Sequence, residues 1–113
     1  MNIQIFGVKK CFDTRKAQRF FKERGIKFQY TDLAEKCMSK GELNSVIAAA
    51  GSADAVVDPD CWDQETLSLL KYLSEADKTR KIFENQQVIK TPVVRNGRQA
   101  TVGYRPEVWK GWE

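Results

Sequence analysis

The hydrophobic period changes five times along the chain, and each change marks out elements. Residues 2 to 7 alternate, Ile3 and Ile5 against Gln4, and end at Gly7, which predicts a first strand. After a short basic loop, Asp13 or Thr14 can cap a helix in which Ala17, Phe20 and Phe21 recur at helical spacing, with Gly25 as its stop. That reading sets Cys11 beside a helix N-terminus. Alternation returns over residues 26 to 33, where Ile26, Phe28 and Tyr30 share one face of a second strand. A β-α-β unit within one sheet makes its two strands parallel through a right-handed crossover.

The middle third reads as helical. Ser39-Lys40-Gly41-Glu42 is a capping box, Leu43, Val46, Ile47 and Ala50 form one stripe, and Gly51 ends the helix. Asp63 ahead of Leu67, Leu70 and Leu73 predicts another helix, and Ala76 to Asn85, with Ile82 and Phe83, a third. Ser52 to Asp60, broken by Asp58-Pro59-Asp60, reads as loop. Pro92-Val93-Val94 then leads into Asn96-Gly97, a strong hairpin signal, and Ala100 to Gly103 return antiparallel. Arg105-Pro106-Glu107 opens a last helix whose Val108, Trp109 and Trp112 are expected to pack back on the sheet. The order β-α-β, helical insertion, β-β-α is that of an α/β thioredoxin-like fold with a mixed four-stranded sheet. The expectation is one domain over residues 1–113, with the insertion at about 39–87.

Composition narrows the chemistry. With 113 residues and 42% apolar content the chain is large enough to bury one core. No run approaches the roughly 20 uncharged apolar residues of a membrane helix. Met1 to Phe6 has no signal-peptide pattern, so the expected compartment is the cytoplasm. Three cysteines, Cys11, Cys37 and Cys61, are widely spaced with no Cys-x-x-Cys pair, and there is no histidine. A zinc site is not expected, for want of a fourth ligand, and Cys-His or Ser-His-Asp catalysis is excluded. An activated thiol here must draw on Lys, Arg or helix geometry.

The net charge of +4 is unevenly spread, with seven basic residues (Lys9, Lys10, Arg15, Lys16, Arg19, Lys22, Arg24) against Asp13 and Glu23 between residues 9 and 24. The run is either a solvated helix face or a basic rim that draws an anion or an acidic partner to Cys11. A thiol just before a helix N-terminus meets open N–H groups and the positive end of the helix dipole, which favour thiolate, and Lys9, Lys10 and Arg15 add positive charge. The competing reading of Cys11 is a small buried filler. Cys37 and Cys61 read as structural or incidental thiols, with a resolving role left open because sequence gives no distance. Trp62, Trp109 and Trp112 are expected in the core rather than on a binding surface.

The run Ile5-Phe6-Gly7-Val8-Lys9-Lys10-Cys11-Phe12-Asp13-Thr14-Arg15-Lys16-Ala17 resembles the opening of the arsenate reductase family and its Spx-type relatives. Val88-Ile89-Lys90-Thr91-Pro92-Val93-Val94 resembles the family's approach to a cis-proline strand, and Val102-Gly103-Tyr104-Arg105-Pro106-Glu107 its closing strand and helix. The resemblance implies Cys11 as nucleophile with Arg15 beside it, Lys10, Thr14, Thr91, Pro92 and Arg105 around the substrate, and a cis Pro92 close to Cys11. Family arsenate reductases hold the oxyanion with arginines in the middle region, before the cis-proline and after the last strand. Arg105 matches the last of these, but Thr91 stands before Pro92, and Val56-Val57-Asp58-Pro59-Asp60 brings acid to the middle. The Cys-x-x-Cys switch of Spx-type regulators is also missing, since Thr14 holds the second position. The expectation is therefore a divergent monothiol thiol-disulfide oxidoreductase, inefficient with arsenate, without bound cofactor or metal. Its partners would be glutathione as co-substrate, another small thiol, or a protein disulfide. The alternative is an Spx-like regulator that contacts RNA polymerase through the basic first helix, with no direct nucleic-acid or membrane contact.

Overall fold

A computed structural model describes residues 1–112. Four strands, β1 (Ile3–Gly7), β2 (Phe28–Asp32), β3 (Val93–Asn96) and β4 (Gln99–Val102), form one sheet in the order β2-β1-β3-β4. β1 and β2 run parallel, and β3 lies antiparallel to both β1 and β4. The helices are α1 (Phe12–Glu23), α2 (Lys40–Ala50), α3 (Gln64–Leu70), α4 (Glu75–Glu84) and α5 (Pro106–Lys110), with short 3-10 turns at Asp54–Val56 and Gln86–Val88. Among the described residues no helix is long and apolar enough to cross a membrane.

Strand alternation divides the apolar residues between the two faces of the sheet. Ile3, Ile5 and Val94 face one side, where α1 delivers Ala17, Phe20 and Phe21 and α5 delivers Trp109. Trp109 is fully buried, its ring 5.3 Å from Phe20 and its indole nitrogen donating to Thr101 Oγ1 at 2.8 Å. Phe6 and Val93 face the other side, under a cluster built from α2, α3, α4 and their connections. Arg95 joins them there, donating to Gln4 Oε1 at 2.9 Å across the sheet.

Local rules place most boundaries. The capping box closes, Glu42 N–H donating to Ser39 Oγ at 3.1 Å and Ser39 N–H to Glu42 Oε1 at 2.8 Å. Gly51 ends α2 at a φ of 102°, a left-handed conformation that costs glycine nothing. Four expectations need correction. Neither Asp13 nor Thr14 caps α1; the cap position is Cys11 itself, which leaves Asp13 in the first turn and Thr14 buried. α4 starts one residue before Ala76, because Ser74 caps it. The stretch from Ser52 to Asp60 is more than loop: besides its 3-10 turn, Val57 bridges to Ile89. Trp62 is outside the core, 80% exposed, whereas Trp109 is buried as expected.

Candidate thiol site

The parallel pair β1 and β2 sets up the site. Gly7 and Asp32 are opposite each other at the ends of these strands, and Leu33 N–H donates to Gly7 O at 2.9 Å, so two loops leave the sheet side by side. The first turns through a bond from Cys11 N–H to Val8 O (3.1 Å) and enters α1. Gly7 permits the tight fit: a Cβ there would lie 2.4 Å from Thr14 Cγ2. Cys11 thus reaches the N-cap position with no side-chain capping bond of its own, facing the open N–H groups of the first turn.

Burial raises the Cys11 pKa, but the Thr14 hydroxyl, the Thr91 side chain and the backbone N–H groups of Thr14 and Asp13 outweigh it, so the thiol is held below its usual value. The protonated and ionised forms use different partners. As a thiol, Cys11 is 3.6 Å from the Thr91 carbonyl, to which it donates, and the buried Thr14 hydroxyl has no hydrogen-bond partner. Ionisation gives that hydroxyl an acceptor, so an otherwise orphaned donor works in favour of the thiolate. Nearby, burial raises the Tyr30 phenol, and negative charge on Asp32, Cys11 and Glu35 raises it further.

Cys11 opens on a cavity of about 570 Å³ whose lining includes the apolar Val8, Leu33 and Ile89. All three cysteines line it. Cys37 is exposed in the loop after β2, whereas Cys61 is buried, its thiol donating to Gln87 O at 3.2 Å and accepting from Asp63 N–H at 3.4 Å. Three carboxylates, Asp58, Asp60 and Glu84, face the cavity against one lysine, Lys10. The acidic segment is held there by Asp58 N–H donating to Val88 O and Lys90 N–H to Val56 O, both at 2.8 Å, around the Val57–Ile89 bridge.

Among the residues expected at the site, Lys10, Cys11 and Thr91 line the cavity, Thr14 is buried beneath Cys11, and Pro92 is buried with the Thr91–Pro92 bond cis. The two arginines lie elsewhere. Arg15 is exposed with its guanidinium 4.7 Å from the centre of the Phe12 ring, and Arg105, at the N-cap of α5, donates to Glu107 Oε1 at 2.8 Å. Neither lines the cavity. Sequence reasoning missed Trp62 and Glu84 as lining residues; both are exposed, and no local pattern marks them. Among the described residues no group of three or more Cys, Asp or Glu side chains converges closely enough to hold a metal ion.

No protein-family model matches the chain. Its backbone superposes on a Bacteroides fragilis protein described as related to the ArsC family, with a TM-score of 0.88, 20% identity, and coverage of 100% of this chain and 98% of that one. The fold is that of arsenate reductase-like proteins. An arsenate reductase from Vibrio cholerae shares this thioredoxin-like fold at a TM-score of 0.82 and 24% identity, over 96% of this chain and 94% of that chain. Among sequence relatives, the global transcriptional regulator Spx 2 of Oceanobacillus iheyensis is 24% identical over 109 residues, 95% of this chain and 80% of its own length. The similar proteins thus include one described by an enzymatic activity and one described by a regulatory role.

Proposed function

We propose that the protein is a thiol-disulfide oxidoreductase with Cys11 as nucleophile, monothiol at the helix cap, and a poor arsenate reductase. The observation that carries this reading is a half-exposed thiol at the α1 N-cap whose ionised form is favoured by the Thr14 and Thr91 side chains and by first-turn N–H groups. Such a thiolate attacks one sulfur of a disulfide, forms a mixed disulfide and expels the other sulfur as thiolate. Lys10, Thr91 and Pro92 would position the incoming disulfide, whereas Arg15 and Arg105 stand outside the cavity lining. Free cysteines, one of them exposed, suit the reducing cytoplasm.

Charge bears on the substrate. An oxyanion gains roughly 1.5–3 kcal/mol from each charge-assisted donor. A site short of two arginines would bind arsenate weaker by roughly two to four orders of magnitude. Asp58, Asp60 and Glu84 add repulsion. The same carboxylates favour disulfides flanked by neutral or cationic groups over glutathione, so glutathione serves as a permitted rather than a preferred partner. The test is to compare cystamine, a small cationic disulfide, with glutathione disulfide and arsenate. The reading expects exchange with both disulfides, faster with cystamine, and arsenate turnover near background. Efficient arsenate reduction coupled to glutathione or thioredoxin would overturn it.

One observation favours a second reading. Arg15, Lys16, Arg19 and Lys22 are exposed on α1, and a relative is a transcriptional regulator. In that reading the basic face docks on RNA polymerase without a redox switch. Polymerase binding lost in an Arg19→Glu, Lys22→Glu double variant but kept in Cys11→Ser would support it.

A further inference from the structure

The three thiols around one cavity differ in freedom, and that difference points beyond single-thiol chemistry. Cys61 is buried and committed at both ends of its hydrogen-bonding capacity. Cys37 is exposed, and its thiol has no hydrogen-bond partner among the described residues. Its loop leaves β2 beside the loop that carries Cys11, because Gly7 pairs with Asp32 at the end of two parallel strands, which lie about 4.8 Å apart. The loop is pinned on both sides of Cys37. Ala34 N–H donates to Asp32 Oδ1 at 2.9 Å, and Met38 exchanges two bonds with the buried Gln86 side chain, at 2.8 and 2.9 Å.

We infer that Cys37 is the resolving thiol of Cys11, turning a mixed disulfide at the helix cap into a Cys11–Cys37 disulfide across the cavity. This rests on the reading of Cys11 as nucleophile. Cys11 thiolate first attacks a disulfide R–S–S–R, releasing one R–S⁻ and leaving Cys11–S–S–R. Cys37, its proton lost to solvent, then attacks Cys11 Sγ, and the second R–S⁻ leaves. The substrate has gained two electrons as two thiols, and the protein has lost two as a disulfide. A cellular dithiol closes the cycle by the reverse exchange, itself becoming a disulfide.

Reduced protein mixed with one equivalent of cystamine provides the test, read by intact mass, free-thiol count and peptide mapping. Wild type should lose two protein thiols, retain no cysteamine, and yield the Cys11–Cys37 peptide pair, as should Cys61→Ser. Cys37→Ser, a change at an exposed loop position, should stop at one cysteamine on Cys11. It should release that group at least about tenfold more slowly in dilute external thiol, since a tethered thiol acts at an effective concentration in the mM range. A stable Cys11–cysteamine adduct on wild type, or a bridge from Cys11 to Cys61, would overturn the assignment of Cys37 while leaving Cys11 as nucleophile. Absence of any adduct on Cys37→Ser would overturn both.

Discussion

Three helix starts in this molecule have a cysteine close by, at α1, α2 and α3, and the first and last of them treat it in opposite ways. At α1 the cysteine occupies the cap itself, no side-chain oxygen competes for the first-turn N–H groups, and the thiol is half-exposed. At α3 the cap is Asp63, whose carboxylate accepts from Thr66 N–H at 3.1 Å, Thr66 Oγ1 at 2.7 Å and Gln87 Nε2 at 2.9 Å. Those bonds, led by the Thr66 hydroxyl, lower the Asp63 pKa. Cys61, two residues upstream, is left buried between a carbonyl and an amide. At these two ends the environment of the cysteine follows from which group takes the helix end. At α3 the Asp63 carboxylate holds that place, and Cys61 packs into the interior.

The contrast can be broken most completely by exchanging each cysteine for serine. Cys11→Ser should abolish disulfide exchange, whereas Cys61→Ser should retain it, as measured by turnover of cystamine with an external reductant. Next in size is Thr14→Val, which keeps the shape beneath Gly7 but removes the hydroxyl that favours the thiolate. A hydrogen bond to a charged group contributes about 1.5–3 kcal/mol, so alkylation of Cys11 at neutral pH should slow by about tenfold or more. Thr14→Ser should restore it, which a purely packing role for the methyl group would not predict.

Smaller effects fall on stability. Cys61→Ser puts a more polar group in a buried position and should cost about 1–2 kcal/mol in urea denaturation, with Cys11 chemistry intact. Cys11 contributes through linkage. Its folded pKa is lowered, so its contribution is fully present above the unfolded thiol's pKa and is lost as pH falls through the folded one. The stability advantage of wild type over Cys11→Ser should widen between neutral and alkaline pH. An advantage that shrinks over that range would contradict the direction of the shift.

How much of this could be read from the sequence follows from how local each signal is. The β1 alternation, the Ser39 capping box and the Asn96-Gly97 hairpin are settled by neighbours a few residues apart, and all three appear where the pattern predicts them. By residue type Asp13 and Thr14 are the better capping residues for α1, but Thr14 packs against Gly7 and the cap falls to Cys11. Asp58 and Asp60 could be suspected of standing in for a cation, but their place at the cavity depends on the Val57–Ile89 bridge, a pairing 32 residues apart that no local pattern encodes. Residue type predicts Trp62 in the core, since tryptophan is highly buried on average; its exposure is decided by the course of that same segment.

The central claim, that the end of α1 makes Cys11 the reactive thiol, is tested most directly by the pH dependence of iodoacetamide alkylation at each cysteine of the intact protein, read by peptide mass spectrometry. Cys11 should be labelled fastest at neutral pH, with a titration midpoint below the ordinary thiol value of about 8.5, and Cys61 should stay unlabelled until the protein unfolds. A Cys11 midpoint at or above that value, or labelling no faster than at Cys37, would contradict the account.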